Sequence, residues 1–244
     1  MPNFYNEFKS KTILQEYGLP TGYFALATSL KQAVEIAEEY GYPLVMKIVS
    51  DQIIHKTEAK GIKLGISNSE EAAAAYNELI ANAKAYNPNA VIDGVMLSPM
   101  VPSGVEVIVG GLRDVQFGPV IMFGLGGIFV EIFKDVQFRM APLKKKEALA
   151  LIKSIKAFPM LNGARGKEPV NLDALAELLV KTGDYLTENE NVKEIDLNPV
   201  ICFDNQVRVL DASIGIKSSL GRKIIQALQW ECLHSEAKIL SRLR

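Results

Sequence analysis

The sequence predicts an α/β fold of the mixed, α+β kind, and three observations predict it. Residues 20–90 alternate short apolar runs with stretches of helical spacing that carry their own start and stop signals. Residues 90–110 and 193–212 have strand character, with connections built from proline, glycine and asparagine. Apolar residues make up 48% of the 244-residue chain and charged residues 23%, enough for a sizeable core and too apolar for disorder.

The formal net charge of −1 gives no global electrostatic reason to bind nucleic acid or an anionic membrane, and neither partner is expected. Cys202 and Cys232 have no metal-ligand spacing and make no disulfide framework, which fits a reducing cytoplasm. The N-terminal residues are polar and lack an apolar signal core, and no apolar run reaches membrane-spanning length. A soluble, cytoplasmic protein is expected.

Taken in order, residues 3–17 have helical spacing, with Phe4, Phe8, Leu14 and Tyr17 towards one side and Gly18 and Pro20 as a stop. Residues 23–27 form a short strand. Ser29 with Gln32 has the spacing of a capping box opening a helix over 30–40, closed by Gly41 and Pro43. Asn68 with Glu71 repeats the pattern before an alanine-rich helix over 69–86. Strands are expected over 90–98 and 104–110, joined by a stiff connector containing Pro99, Pro102 and Gly104. Residues 117–143 are the most glycine-dense part. Gly124, Gly126 and Gly127 suit either a turn or a phosphate cradle, and no P-loop pattern follows. Helices over 144–157 and 172–188 flank a loop carrying Arg165 and Lys167, read as a solvated basic turn. A hairpin over 193–212 comes next. A last amphipathic helix over 221–244, holding a structural His234, suggests docking on a neighbour or on the body of the protein.

Two stretches carry chemistry. Residues 44–65 read as a buried strand ending in Lys47, a polar loop, and a second strand over 61–65. The loop holds His55 among Lys56, Thr57, Glu58 and Lys60, which is unlike an apolar core position. A neutral imidazole can act as a nucleophile towards phosphorus. In the hairpin, Asp204-Asn205 as a two-residue turn would pair residues whose numbers sum to 409, among them Asn198 and Asp211. Directly opposed residues share a face, with Cβ atoms roughly 4.5–5.5 Å apart. Alternation adds Glu194 and Asp196 to that face and turns Ile195 and Leu197 away. Such an oxygen-rich face suits Mg²⁺ held jointly with nucleotide phosphates, or equally the polar side of a half-solvated hairpin.

With these residues in hand, the chain resembles the ATP-grasp β subunit of the ADP-forming acyl-CoA synthetases (acetate–CoA ligase, ADP-forming), relatives of succinyl-CoA synthetase. The matching segments are HKTEAKGIKLG (55–65), GVEVIVGGLRD (104–114), the glycine-dense 117–143, LNGARG (161–166), and EIDLNPV with LDASIGI (194–216). The resemblance implies an ATP-grasp fold over 1–216, with a small subdomain over 20–90 and a larger one over 91–216 plus the N-terminal helix. The nucleotide would lie between them, and 217–244 would be an appended helix. It implies that His55 receives a phosphoryl group from a histidine of a separate CoA-binding α subunit, in a hetero-oligomer of α2β2 type, and delivers it on a mobile loop to ADP. Lys47 would contact nucleotide phosphates. The hinge over 96–101, with Met96, Ser98, Met100 and Val101, would meet the adenine, and Glu106 the ribose. Asn198 and Asp211 would hold Mg²⁺, with Asp196 at the place of a related glutamate. Glu131 and Arg139 fall in the matching segment with no role implied. Two other readings are a nucleotide-sensing or assembly module without catalysis, and an ATP-grasp carboxylate ligase working without phosphohistidine. The presence of His55, Lys47, Asn198 and Asp211 together speaks for the enzyme subunit.

Overall fold

The computed structural model describes residues 4–127, 135–164 and 168–217. They form two sheets, each with its own apolar core. The chain opens on a two-residue strand, β1 (Phe4–Tyr5), followed by helix α1 (Glu7–Glu16). The helix therefore starts later than the spacing over 3–17 predicts. Asn6 is the reason: its side chain accepts a hydrogen bond from the Lys9 backbone N–H at 2.9 Å, which sets the helix start. Phe4 instead pairs with Gly215 in a sheet.

The small sheet is built from β2 (Ala25–Ala27), β3 (Leu44–Val49), β4 (Ile62–Ile66) and β5 (Gly94–Pro99), in the order β2-β5-β3-β4. Helices α2 (Leu30–Tyr40) and α3 (Ser69–Tyr86) cover one face. Both caps form as the spacing predicts, with Ser29 accepting from the Gln32 N–H and Asn68 from the Glu71 N–H. Ala33, Ala37, Ala72, Ala75 and Ala83 fill the layer between helices and sheet, so the helices approach closely. Because β5 lies between β2 and β3, Val95 and Leu97 belong to this core. The expected boundary at 90/91 is corrected accordingly: the small lobe continues through Pro99, and residues 100–104 connect it to the large one.

The large sheet comprises β1, β6 (Val105–Asp114), β7 (Gly118–Leu125), β8 (Val136–Met140), β9 (Val192–Phe203), β10 (Gln206–Val209) and β11 (Ala212–Ile216). Its order is β1-β11-β9-β6-β7-β8, with β10 also on β9. Helices α1, α4 (Lys145–Ser154), the short α5 (Phe158–Leu161) and α6 (Leu172–Glu188) supply the rest of its core. Alternation sends Val107, Val109, Ile195 and Leu197 into that core, while Ile108, Met122 and Val136 form a separate patch on the opposite face. The glycine-dense stretch contributes β7 and β8, which the sequence reading leaves unassigned. A Cβ at Gly124 would lie 2.8 Å from the Val136 side chain, and one at Gly126 would lie 3.1 Å from Glu106. These two glycines serve the approach of chain to chain.

No helix among the described residues is long and apolar enough to cross a membrane. Glu131, Arg165, Lys167, Cys232, His234 and the helix expected over 221–244 lie outside the described residues. Since Leu14 is fully buried where α1 meets the large core, Leu14→Ala is expected to lower unfolding stability by about 2–5 kcal/mol, as measured by urea denaturation.

Candidate functional site

The two lobes meet through four charged side chains. Lys47 alternates with the buried Leu44, Met46 and Ile48 of β3, so its side chain leaves the small core on the opposite face. Its ammonium donates to Glu7 Oε1 at 2.7 Å, to Asp211 Oδ2 at 3.1 Å and to the Leu210 carbonyl at 3.3 Å. Glu7 is the first residue of α1, and only 4% of its surface is exposed. Its second oxygen lies 3.0 Å from the Lys56 ammonium. Two cations of the small lobe thus face two anions of the large one.

The electrostatics follow from that arrangement. Burial pushes the Glu7 carboxyl up and the Asp211 charge adds to it, against the pull of Lys47 and Lys56. For Asp211 burial acts in the same sense, but Lys47 and Lys56 outweigh it and hold the carboxyl below its ordinary value. Burial would lower Lys47, yet Asp211 and Glu7 outweigh it and raise the ammonium. Lys11, one turn beyond Glu7, is only 2% exposed, with its ammonium 4.8 Å over the Phe24 ring. Burial, helped by the Lys47 and Arg208 charges, brings it down to about 8.

The hairpin has the register that the turn arithmetic predicts. Asp204 and Asn205 take φ of 42° and 60°, as a type I′ turn requires, and Gln206 to Val209 face Phe203 to Val200. The Asn198 N–H donates to the Asp211 carbonyl at 3.2 Å, which carries the same register to the expected pair. Asp196 lies beside Ser213 on one strand and Gly110 on the other. Its side chain reaches solvent, while the protein packed around it and the Asp211 charge raise it to about 6. Burial and Asp196 raise Glu194 to about 7. Among the described residues no group of three or more histidine, cysteine or acidic side chains forms a complete metal cage. The carboxylates of one face nonetheless repel one another, and a hard cation sharing phosphate oxygens would relieve them, so the donor set fits Mg²⁺.

The remaining predicted residues are placed as follows. His55 is exposed on a folded turn over residues 50–61, whose Ile53 and Ala59 are buried in the small core. The turn closes on itself: the Ala59 N–H donates to the His55 carbonyl at 3.1 Å and the Gly61 N–H to the Lys56 carbonyl at 2.7 Å. A Cβ at Gly61 would stand 2.6 Å from the Ile48 side chain, so glycine is required there. Glu106 is exposed on β6, and a Cβ on Gly127 would reach to 3.6 Å from its carboxylate. Met96 corrects the expectation of a backbone edge over 96–101. It is buried mid-strand with Leu26 on one side and Lys47 on the other, so both of its edges are taken. Ser98, Met100 and Val101 lie where the strand ends and the connector begins. Arg139 on β8 carries a buried Nε without a hydrogen-bond partner. Glu7 and Lys56 are the two residues that the sequence reading does not select. Their one local signal is an acid directly after a capping asparagine and a lysine directly after the histidine.

Comparison with known proteins places this geometry. A family model described as the ATP-grasp domain matches residues 3–216. The β subunit of ADP-forming acetate–CoA ligase I from Pyrococcus furiosus is 51% identical over 206 residues, covering 84% of this chain and 89% of that one. The dinucleotide forming acetyl-coenzyme A synthetase 1 of Ca. Korarchaeum cryptofilum, solved with coenzyme A, Ca-AMPCP and HgCl+, superimposes with a TM-score of 0.85 at 44% identity. The match covers 88% of this chain and 93% of that chain. The same enzyme with coenzyme A and Mg-AMPPCP, its phosphohistidine segment pointing towards the nucleotide binding site, gives a TM-score of 0.76 at 41% identity. Coverage there is 86% of this chain and 92% of that chain.

The low value of Lys11 has a definite sign. The unfolded chain holds this proton up to the ordinary lysine value of 10.5 and the folded one releases it near 8. The folded state is therefore penalised below about 8 and relieved as the pH rises towards 10.5. Lys11→Met is expected to raise the urea midpoint at pH 7, with the gain shrinking across that window.

Proposed function

The chain belongs to the ATP-grasp β subunits of the ADP-forming acetate–CoA ligases, a class of acid–CoA ligase enzymes, and we propose that it performs their phosphoryl-transfer half-reaction at His55. The observation that carries this reading is the tie between the exposed His55 turn and the nucleotide-type residues. Lys56, next in sequence, pairs with Glu7, and Glu7 pairs with Lys47 beside Asp211.

In this reading a phosphoryl group arrives on an imidazole nitrogen of His55 from the phosphohistidine of a CoA-binding α subunit. It leaves for a β-phosphate oxygen of ADP: the N–P bond breaks, a P–O bond forms, and the imidazole, its other ring nitrogen carrying a proton, leaves neutral. The α subunit couples this to conversion of acyl-CoA and phosphate into acid and CoA, within a hetero-oligomer of α2β2 type. Lys47 exchanges Glu7 and Asp211 for nucleotide phosphates, to which a charge-assisted hydrogen bond is well suited. Ser98, Met100 and Val101 meet the adenine where β5 ends, and Glu106 meets the ribose hydroxyls. Asp211, Asn198 and Asp196 would hold Mg²⁺, which when bound would neutralise phosphate charge during the transfer. Exposure of His55 supports a swing of the tip of the turn as the means of transfer, with the buried Ile53 and Ala59 as its anchor.

Incubation with γ-labelled ATP tests the relay in reverse. The expected result is acid-labile, base-stable label that His55→Ala abolishes; label persisting in that variant would remove the reading. Lys47→Met is expected to weaken ADP binding by about 10–100-fold in calorimetry, the range of a lost hydrogen bond to a charged group. Asp211→Asn is expected to weaken the Mg²⁺ dependence of that binding.

A further inference from the structure

We propose that Glu7 and Lys56 form a nucleotide-responsive latch that positions the His55 turn. This rests on the phosphohistidine reading above and adds two positioning residues to it.

The Glu7–Lys56 contact has an unusual character. The Lys56 ammonium is 3.0 Å from Glu7 Oε2, and among the described residues that buried oxygen has no other partner. The pair is an ion pair that shares one carboxylate with Lys47. Its strength therefore depends on how much of the Glu7 charge is left for it, and Lys47, at 2.7 Å on the other oxygen, is the competitor. Glu7 itself is fixed. It opens a helix that Leu14 anchors in the large core, and the preceding Asn6 donates to Asp51, at the start of the turn, at 3.0 Å. The turn is thus tied at two points to the start of one helix, and of these the Glu7–Lys56 tie is the one that shares a carboxylate with Lys47.

A nucleoside diphosphate that draws Lys47 towards its phosphates would leave the whole Glu7 charge to Lys56. At this degree of burial, with 1% of the Glu7 and 17% of the Lys56 side chain exposed, the pair is poorly screened. The turn would then be held more firmly, with His55 presented next to the occupied site. When the nucleotide leaves, Lys47 returns to Glu7 and Asp211, the pull on Lys56 falls, and the turn is freer to move. Such coupling is reciprocal, so the latch also favours nucleotide binding.

Hydrogen exchange of residues 50–61 in the full chain, read by mass spectrometry with calorimetry on the same samples, tests the latch. Saturating Mg-ADP is expected to slow exchange in this segment by roughly tenfold. Lys56→Met should abolish the slowing, and Lys56→Arg, which keeps the charge, should restore it. Glu7→Gln should abolish it as well; because that change leaves two ammoniums facing each other and can cost the fold, Lys56→Met carries the test. The latch is overturned if wild-type protein binds Mg-ADP with no change in exchange, or if Lys56→Met is slowed as much as wild type. Absence of Mg-ADP binding, or of acid-labile label on His55, would instead overturn the reading beneath it.

Discussion

The structure depends on one cluster of charges, Glu7 and Asp211 from the large lobe against Lys47 and Lys56 from the small one. Removing one member of a buried charge pair costs about 3–5 kcal/mol because its partner is left in low dielectric. The four charges balance, so the burial is tolerable while each carboxylate keeps a cation beside it. This constraint fixes where the faces of β3 and of the β9–β11 hairpin lie and why α1 starts where it does. It also leaves Lys47 poised, since a phosphate can take it over without leaving it unpaired.

The same hairpin face carries a second, unresolved tension. Glu194 and Asp196 are raised to about 7 and about 6 by burial and by neighbouring acids. Stability gains nothing from such a face. In the proposed reading a cation relieves that repulsion, and Asn198 beside Asp211 supplies a neutral oxygen donor at the same position along the strands. Gly110 opposite Asp196 gives its place to the Met122 side chain, and Ile108, Met122 and Val136 form an apolar patch on the face away from the main core.

Much of this was legible in the residues alone. The caps at Ser29 and Asn68 formed as their spacing implied, because capping is decided within four residues. The hairpin register was legible because a two-residue turn at Asp204-Asn205 leaves one way to pair the strands. Other elements escaped. β7 and β8 were hidden because their glycines, placed for contact between strands, look like turn residues in one dimension. β5 crossed the expected lobe boundary because strand order depends on partners distant in sequence. Met96 was set in an adenine-facing edge from which its central strand position removes it.

The sequence by itself determined the mixed α/β class, the family, the exposed histidine among charges, and the opposition of Asn198 and Asp211. These rest on local spacing, on strand alternation and on motifs read residue by residue. Only the tertiary structure decided that Glu7 is buried and that it joins Lys56 to Lys47 across 40 residues or more of chain. The physical reason is that a charge at the start of a helix is by default solvated. Nothing local distinguishes it from one that two distant lysines have drawn into the interior.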